Sequence, residues 1–181
     1  MPTFSMNDKM LSEISIKKIF FISFGVKIGI EASDNIFIID FINKLKSALR
    51  HSFQKIKKNE VEYLFEIRIN SENYYEISKN GKPYHSSETS ELIFEHLDTQ
   101  IRVTIAEFAV GKVFLHAGVV SWNDKAIIIP GSSYFGKSTL VAALVKKGAI
   151  YFSDEYAVLD EKGFVHPFPK MLSLRGIVDN F

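Results

Sequence analysis

The chain has 181 residues, a formal net charge of +1, 46% hydrophobic residues, 24% charged residues and no cysteine. This composition is typical of a globular protein, and it excludes a disulfide scaffold and thiolate metal sites. The near-zero net charge gives no reason to expect nucleic acid or an anionic membrane as a partner. The absence of cysteine agrees with a cytoplasmic location, and the apolar run from 19 to 26 is too short to span a bilayer.

The first 111 residues predict an N-terminal lobe that mixes strands and helices. Residues 14–31 alternate in places between apolar and polar side chains, which indicates one or two strands. The polar residues at 33–35 are good helix N-caps, and the apolar spacing behind them predicts a helix that ends near Lys57 and Lys58.

The rest of this lobe predicts a hairpin and a long helix. Alternating residues from 61 to 69 predict a half-buried strand. Asn80–Gly81 predicts a tight turn between two further strands, the second of which contains Pro83 and belongs at an edge. An amphipathic helix follows and is expected to stop near Gly111.

From residue 112 the pattern changes to that of a second lobe, over 112–181. A strand over 113–122 and a turn at Asn123–Asp124 lead into the run 125–130, whose nearly all-apolar character predicts a strand of a buried sheet. A helix over 137–147 and another buried strand over 149–152 come next. Two domains are therefore predicted, an α+β lobe over 1–111 and an α/β lobe over 112–181.

The segment between the strand 125–130 and the helix fits the pattern G-x-x-x-x-G-K-[ST] at every fixed position. Glycines let backbone N–H groups turn toward an anion, and the helix N-terminus adds its dipole. We expect Lys137 to reach the β- and γ-phosphates of a nucleoside triphosphate and the Ser138 hydroxyl to bind Mg²⁺. A plain glycine-rich turn is the alternative, but a lysine directly after the second glycine serves no turn. The predicted nucleotide-binding residues are Gly131, Ser132, Ser133, Tyr134, Phe135, Gly136, Lys137, Ser138 and Thr139.

Two acidic residues, Asp154 and Glu155, follow the strand that comes after the phosphate-loop helix. Ligands of open α/β sheets bind outside the carboxyl ends of strands. Carboxylates there can hold Mg²⁺ or accept a proton from an alcohol. A charged surface turn is the alternative.

His116 is a further candidate because of the hairpin register. If Asn123–Asp124 is a two-residue loop, Trp122 pairs with Lys125, and counting back places His116 opposite Gly131. Directly opposed residues share a sheet face, so His116 is predicted beside the mouth of the phosphate loop. A histidine packed in the core is the alternative.

A family resemblance rests on three stretches of the sequence, 115–119, 128–138 and 153–155. Together they resemble the HPr kinase/phosphorylase-like family, whose P-loop core is shared with phosphoenolpyruvate carboxykinases. The resemblance extends over about residues 112–176. It implies an α/β P-loop core of the HPr kinase/PEP carboxykinase-like class, preceded here by an α+β lobe. The family's catalytic domain continues well beyond the equivalent of this region, so the expectation is a nucleotide-binding lobe truncated at the C-terminus.

The resemblance also implies roles for individual residues. Lys137 and Ser138 match the phosphate and metal positions, and Asp154 matches a general base that takes the proton from an acceptor serine. Glu155 matches the acid that helps to hold Mg²⁺. His116 matches a histidine near the transferred phosphate.

Two departures weaken the match to the true HPr enzymes. Position 155 is glutamate where they have aspartate, and Ser173, close to Arg175, stands where an acid is expected. A related serine kinase is therefore the expectation rather than a bifunctional kinase/phosphorylase.

The predicted function is that of an ATP- and Mg²⁺-dependent kinase that phosphorylates a serine or another hydroxyl, on a protein or a small molecule. A nucleotide-binding regulatory module without transferase activity is one alternative. A P-loop NTPase that acts on a partner is another. The acceptor, the nucleotide preference and the presence of a homo-oligomer stay open.

Overall fold

The computed structural model describes residues 17–32, 36–132 and 135–170, and these divide into two compact units. The N-unit contains described residues 17–32, 36–47 and 52–107, and the C-unit contains 48–51, 108–132 and 135–170. The described part of the chain is β-rich, with 42% of it in strands and 29% in helices, and it contains two sheets.

The N-unit is built on a six-stranded sheet with the order β3-β1-β2-β4-β5-β6. Its neighbouring strands are antiparallel except for β2 and β4, which pair in parallel. The strands are β1 (Lys17–Ser23), β2 (Val26–Ala32), β3 (Gln54–Lys55), β4 (Tyr63–Ile69), β5 (Tyr75–Lys79) and β6 (Lys82–Ser87).

Two helices accompany this sheet, α1 (Ile36–Ala48) and α2 (Ser90–Phe108), and the rings of Phe41 and Phe94 stack between them at 5.1 Å. The apolar stripe of α2 is fully buried, as its helical spacing requires. Its largest buried side chains are Ile93, Leu97, Ile101 and Ile105.

The predicted end of the first helix near Lys57 and Lys58 is wrong, because α1 ends at Ala48. The chain beyond it returns to the sheet. Residues 54 and 55 pair with β1, and the Phe53 ring stacks on Phe21 at 4.8 Å. Strand pairing and aromatic burial therefore override the helical spacing, which tertiary contacts commonly do. A short 3₁₀ helix, Lys58–Glu60, leads into β4.

The hairpin predicted at Asn80–Gly81 is confirmed. Both residues have positive φ, 51° and 76°, as a tight turn of this kind requires. The Leu64 amide donates a hydrogen bond of 2.7 Å to Asn80 Oδ1, so the turn is also tied to the neighbouring strand.

The C-unit contains a five-stranded sheet with the order β11-β10-β7-β8 and with β9 also paired to β7. Each of these pairs is antiparallel. The strands are β7 (Lys112–Trp122), β8 (Lys125–Pro130), β9 (Ile150–Ser153), β10 (Tyr156–Asp160) and β11 (Val165–His166). Helix α3 (Lys137–Lys146) connects β8 to β9.

The expected fold class, an α/β P-loop core of the HPr kinase/PEP carboxykinase type, is wrong. The chain is β-rich, and the paired strands of the C-unit are antiparallel rather than a parallel sheet between helices. The physical reason lies in β7, an 11-residue strand that pairs with β8 along one edge and with both β9 and β10 along the other. The apolar run of β8 is also not a buried central strand, because its residues are exposed or half-buried and it lies at the end of the strand order.

One strand–helix–strand connection is nevertheless present, and it positions the loop of interest. β8 and β9 are both antiparallel to β7 and pair with the same stretch of it, around Val119 to Ser121. They therefore run in the same direction on opposite sides of β7, joined by the loop after Pro130 and by α3. This connection brings the start of α3 to the same end of the sheet as the end of β9.

Helix α3 packs closely on β7 because position 118 is glycine. A Cβ placed on Gly118 would lie 2.7 Å from Val141 Cγ2, closer than side chains tolerate. Val120, Val141 and Ala149 form the buried cluster at this contact. A second buried cluster contains Ala117, Val119 and Ala157. Since side chains alternate along a strand, residues 117 and 119 of β7 face away from α3.

Candidate functional site

The candidate phosphate loop connects β8 to α3 and is described except at Ser133 and Tyr134, which lie outside the described residues. Gly136 has φ 78° and is the N-cap of α3, where its carbonyl accepts a 2.9 Å hydrogen bond from the Leu140 amide. This left-handed conformation favours glycine, so the second fixed glycine of the motif is explained by the backbone. The helix N-terminus lies directly beyond it.

Lys137 is the first residue of α3 and is buried, with only 8% of its surface exposed. Its Nζ donates hydrogen bonds to the carbonyl oxygens of Gly131, at 2.6 Å, and Ser132, at 2.9 Å. The ammonium group is therefore folded back onto the start of the loop. A lysine ammonium has three N–H groups, so one remains for an acceptor that enters the loop.

The structure brings Ser138 and Asp154 together across 16 residues of sequence. The Ser138 hydroxyl, in the first turn of α3, donates a 3.2 Å hydrogen bond to Asp154 Oδ2, just after β9. Both side chains are half-buried. A hydroxyl and a carboxylate oxygen are thus placed side by side at the N-terminal end of the helix, one residue after Lys137.

Asp154 has a second partner that the sequence did not single out. The Tyr151 hydroxyl lies 3.0 Å from Asp154 Oδ1 and 2.7 Å from the carbonyl oxygen of Lys170. A tyrosine two positions before a serine on an alternating strand carries no motif. The one sequence feature that pointed to Tyr151 is strand alternation, which places residues 151 and 153 on the same face, directly before the acidic pair.

The corner that presents the acidic pair is held by Ser153, which is fully buried. Its Oγ accepts hydrogen bonds from the amides of Glu155, at 3.2 Å, and Tyr156, at 3.0 Å. The Glu155 carbonyl accepts a 3.2 Å bond from the Ala117 amide of β7. Residues 154 and 155 therefore sit in a bend between β9 and β10 that is fixed on both sides.

Glu155 is turned toward a different partner from Asp154. Its Oε2 lies 3.3 Å from Lys170 Nζ, and the two side chains are 27% and 32% exposed. The structure thus places Asp154, rather than Glu155, against the Ser138 hydroxyl. The Mg²⁺ role that the resemblance gave to Glu155 stays a prediction, while the carboxylate in contact with Ser138 belongs to its neighbour.

The hairpin register on which the placement of His116 depended is confirmed. Trp122 pairs with Lys125 and Gly118 with Ile129, across a turn whose residues Asn123 and Asp124 both have positive φ. The pairing between β7 and β8 ends at Ala117 and Pro130. It therefore stops one residue short of the predicted pair of His116 and Gly131.

His116 itself is exposed and pairs with Tyr156 of β10, whose ring meets the imidazole edge-on at 6.3 Å. The alternative of a histidine packed in the core is therefore excluded, and a role near the phosphate loop stays a prediction.

The remaining predicted residues of the site are placed less specifically. Phe135 is 81% exposed at the end of the loop, and Thr139 is exposed on α3. Arg175 and Ser173 lie outside the described residues.

The donor set suits magnesium better than a transition metal. Among the described residues, no three His, Asp or Glu side chains converge into a group that would hold a metal ion alone. Hydroxyl and carboxylate oxygens are the ligands that Mg²⁺ prefers, and at phosphate sites substrate oxygens and water complete its shell. One hydroxyl and one carboxylate are therefore enough for a metal that arrives with a triphosphate.

Across the described part of the chain, no helix combines the length and apolar character needed to cross a membrane. Comparisons with models of protein families, with curated protein sequences and with solved structures found no match. The resemblance to the HPr kinase/phosphorylase-like family thus stays a prediction from the residues.

Proposed function

We propose that the loop from Gly131 to Ser138 binds the phosphates of a nucleoside triphosphate, ATP, together with Mg²⁺, and that the protein transfers a phosphoryl group to a hydroxyl acceptor. The observation that supports this most strongly is the 3.2 Å contact between Ser138 Oγ and Asp154 Oδ2, directly after the buried residue Lys137. These three groups are the ones that phosphoryl transfer on a P-loop uses.

Phosphate binding is attributed to the loop and to the start of α3. The unpaired N–H groups of a helix N-terminus attract anions, and the helix dipole adds to the attraction. Lys137 retains one N–H beyond the two that bind Gly131 and Ser132. Those two bonds hold the ammonium in place, so little side-chain freedom is lost when a phosphate oxygen binds.

Ser138 and Asp154 are proposed to hold the metal. Bound Mg²⁺ would neutralise negative charge on the β- and γ-phosphate oxygens. Lys137 would add a positive charge at the same place. Because the site is half-buried, these charges act more strongly than they would in open water.

The acceptor hydroxyl needs a group that can take its proton, and Asp154 is the proposed residue. A carboxylate offers about four lone-pair sites, and two of them accept bonds from Ser138 and Tyr151. Lone pairs therefore remain for an acceptor serine or another alcohol. His116 stays a proposed neighbour of the transferred phosphate.

A second candidate function is that of a nucleotide-binding module without transferase activity. It is favoured by the same carboxylate, because both oxygens of Asp154 are already held by hydroxyl donors of the protein. A carboxylate fixed on both oxygens is better suited to holding a metal than to accepting a proton. The two functions share nucleotide binding and differ only in transfer.

Nucleotide binding is tested by measuring the dissociation constant of a fluorescent ATP analogue with Mg²⁺. Lys137→Ala should weaken binding by about 10- to 150-fold, since a hydrogen bond to a charged group contributes about 1.5–3 kcal/mol. The matched control is Lys147→Ala, which removes the same charge at the exposed C-terminal end of α3. Equal affinity of the two variants for the analogue would contradict the proposal.

Transfer is tested with γ-labelled ATP and a panel of serine-containing and small hydroxyl acceptors. A kinase moves the label to an acceptor, and Asp154→Asn should slow this by about 100-fold or more. Steady release of phosphate without any acceptor indicates an NTPase. Binding with neither reaction supports the regulatory module.

A further inference from the structure

Tyr151 has a place in the site that the motif does not explain. It lies on β9, is half-buried, and extends its hydroxyl to Asp154 Oδ1 at 3.0 Å. The same hydroxyl lies 2.7 Å from the carbonyl oxygen of Lys170. One side chain thus touches both the carboxylate of the site and the backbone that follows β11.

We propose that Tyr151 is a positioning residue that aims the Asp154 carboxylate at the metal site next to Ser138. This inference rests on the proposed function, since it assigns a support to the carboxylate that is to hold Mg²⁺. In this role Tyr151 acts only through its contact with Asp154.

An aspartate side chain needs two restraints to hold its carboxylate in one orientation. The terminal torsion of aspartate is broad, so a carboxylate held at one oxygen can still rotate. Ser138 holds Oδ2 from α3, and Tyr151 holds Oδ1 from β9. With one donor on each oxygen, from two different elements, the plane of the carboxylate is fixed.

The phenol is in turn held by the backbone behind it. A tyrosine hydroxyl carries one proton, which it shares between Asp154 and the carbonyl of Lys170. The segment that supplies this carbonyl is itself anchored, because the Phe168 amide donates a 3.1 Å bond to the Phe152 carbonyl. Phe168 is almost completely buried, with its ring edge-on to Phe114. The position of the Tyr151 hydroxyl is therefore determined by the core of the C-unit.

Partners that orient a metal ligand from behind commonly change metal affinity by about 10- to 100-fold when they are removed. Loss of the Tyr151 hydroxyl should therefore weaken the effect of Mg²⁺ and leave the phosphate contacts of Lys137 and the loop unchanged. If Tyr151 had a purely structural role, its loss would weaken nucleotide binding equally with and without the metal.

The experiment titrates Mg²⁺ against the full chain at a fixed concentration of a fluorescent ATP analogue, and repeats the binding measurement in excess EDTA. Tyr151→Phe should raise the half-saturating Mg²⁺ concentration by about tenfold, while binding in EDTA stays as in the wild type. Unchanged binding in EDTA also shows that the variant is folded. Tyr75→Phe removes the same oxygen from a half-buried strand position of the N-unit and should change neither value.

A double variant tests whether the effect passes through the carboxylate. In an Asp154→Asn background, Tyr151→Phe should add little, because two residues that act through one contact are not additive. A Mg²⁺ dependence of Tyr151→Phe equal to that of the wild type would overturn the inference and leave the proposed function standing. Tyr151→Phe would also overturn the inference if it weakened binding of the analogue equally with and without Mg²⁺. Wild-type protein that binds no nucleotide would overturn both proposals, and this result is visible before any Tyr151 variant is measured.

Discussion

Close packing of α3 on β7 depends on Gly118, and adding a single methyl group there should destabilise the C-unit. A Cβ at this position would lie 2.7 Å from Val141 Cγ2, with Ile129 Cβ at 3.8 Å behind it. Valine on a helix strongly prefers one rotamer, so Val141 cannot turn away without strain. We expect Gly118→Ala to lower the free energy of unfolding by about 1–3 kcal/mol, the usual cost of overpacking.

The assay is urea denaturation followed by tryptophan fluorescence. The chain has a single tryptophan, Trp122 at the end of β7, so the signal reports the C-unit alone. Gly131→Ala is the matched control. It adds the same atom at a glycine with ordinary φ, and its nearest neighbour, Lys137 Cγ, would lie at a normal 3.5 Å. Its effect on the free energy of unfolding should be within about 1 kcal/mol.

A double-mutant cycle identifies the contact responsible. Val141→Ala removes the methyl group that the new Cβ would meet, so the two changes together should cost less than the sum of the two separately. The difference should be about 0.5–3 kcal/mol. The reasoning is refuted if Gly118→Ala costs no more than Gly131→Ala, or if the two costs simply add.

Three further predictions concern turns and titrating groups outside the site. The His166 side chain, 2.9 Å away, lowers the pKa of Asp160, so this carboxylate stabilises the fold above its ordinary pKa of about 3.9, and the contribution is lost as the pH falls through the lower folded value. In Asp160→Asn, the free energy of unfolding measured by urea denaturation should fall less steeply below about pH 4. An equally steep fall in the variant and the wild type would contradict this. Burial, and then repulsion from the His96 ring, whose centroid lies 3.6 Å away at a tilt of 37°, lower the pKa of His85. The free energy of unfolding should therefore fall as the pH drops below about 6.5, and His85→Gln should remove that part of the slope in urea denaturation. Asn80→Ala should cost about 1–2 kcal/mol in thermal or chemical denaturation, because it removes the bond to the Leu64 amide and places alanine at φ 51°; an effect no larger than that of Asn80→Gly would show that the left-handed backbone contributes nothing.

Local features of the fold could be predicted from the sequence because they depend on neighbouring residues. The turn at Asn123–Asp124 fixed which residues of β7 and β8 are paired, and the ladder follows that register. The start of α3 was predicted from the loop motif and lies at Lys137.

The class of fold could not be predicted in the same way. β7 is bordered along one edge by both β9 and β10, and these pairings join residues about 30 or more positions apart. Apolar periodicity shows that a segment is a strand but not which partner it takes or in which direction. The resemblance implied an α/β P-loop core, whereas the paired strands of the C-unit are antiparallel. In the N-unit, for the same reason, the predicted first helix was too long. It ends at Ala48, because the chain beyond it pairs as β3 with β1.

Within the site, the sequence predicted the lysine, the serine and the acidic pair, because a motif and its spacing carry them. The resemblance gave the base role to Asp154 and the Mg²⁺ role to Glu155, but which of the two meets Ser138 depends on tertiary contacts. Asp154 meets Ser138, whereas Glu155 meets Lys170, and that division follows from the bend fixed by Ser153. The supporting hydroxyl of Tyr151 was missed because it depends on backbone at residue 170.

The central claim is that the loop between β8 and α3 receives a triphosphate. A crystal structure of the protein with Mg²⁺ and a non-hydrolysable ATP analogue tests it most directly. The account predicts phosphate oxygens on Lys137 Nζ and on the amides at the start of α3, with the metal between Ser138 and the phosphates and Asp154 beside it. An analogue bound elsewhere on the protein, with Lys137 still bonded only to Gly131 and Ser132, would contradict it.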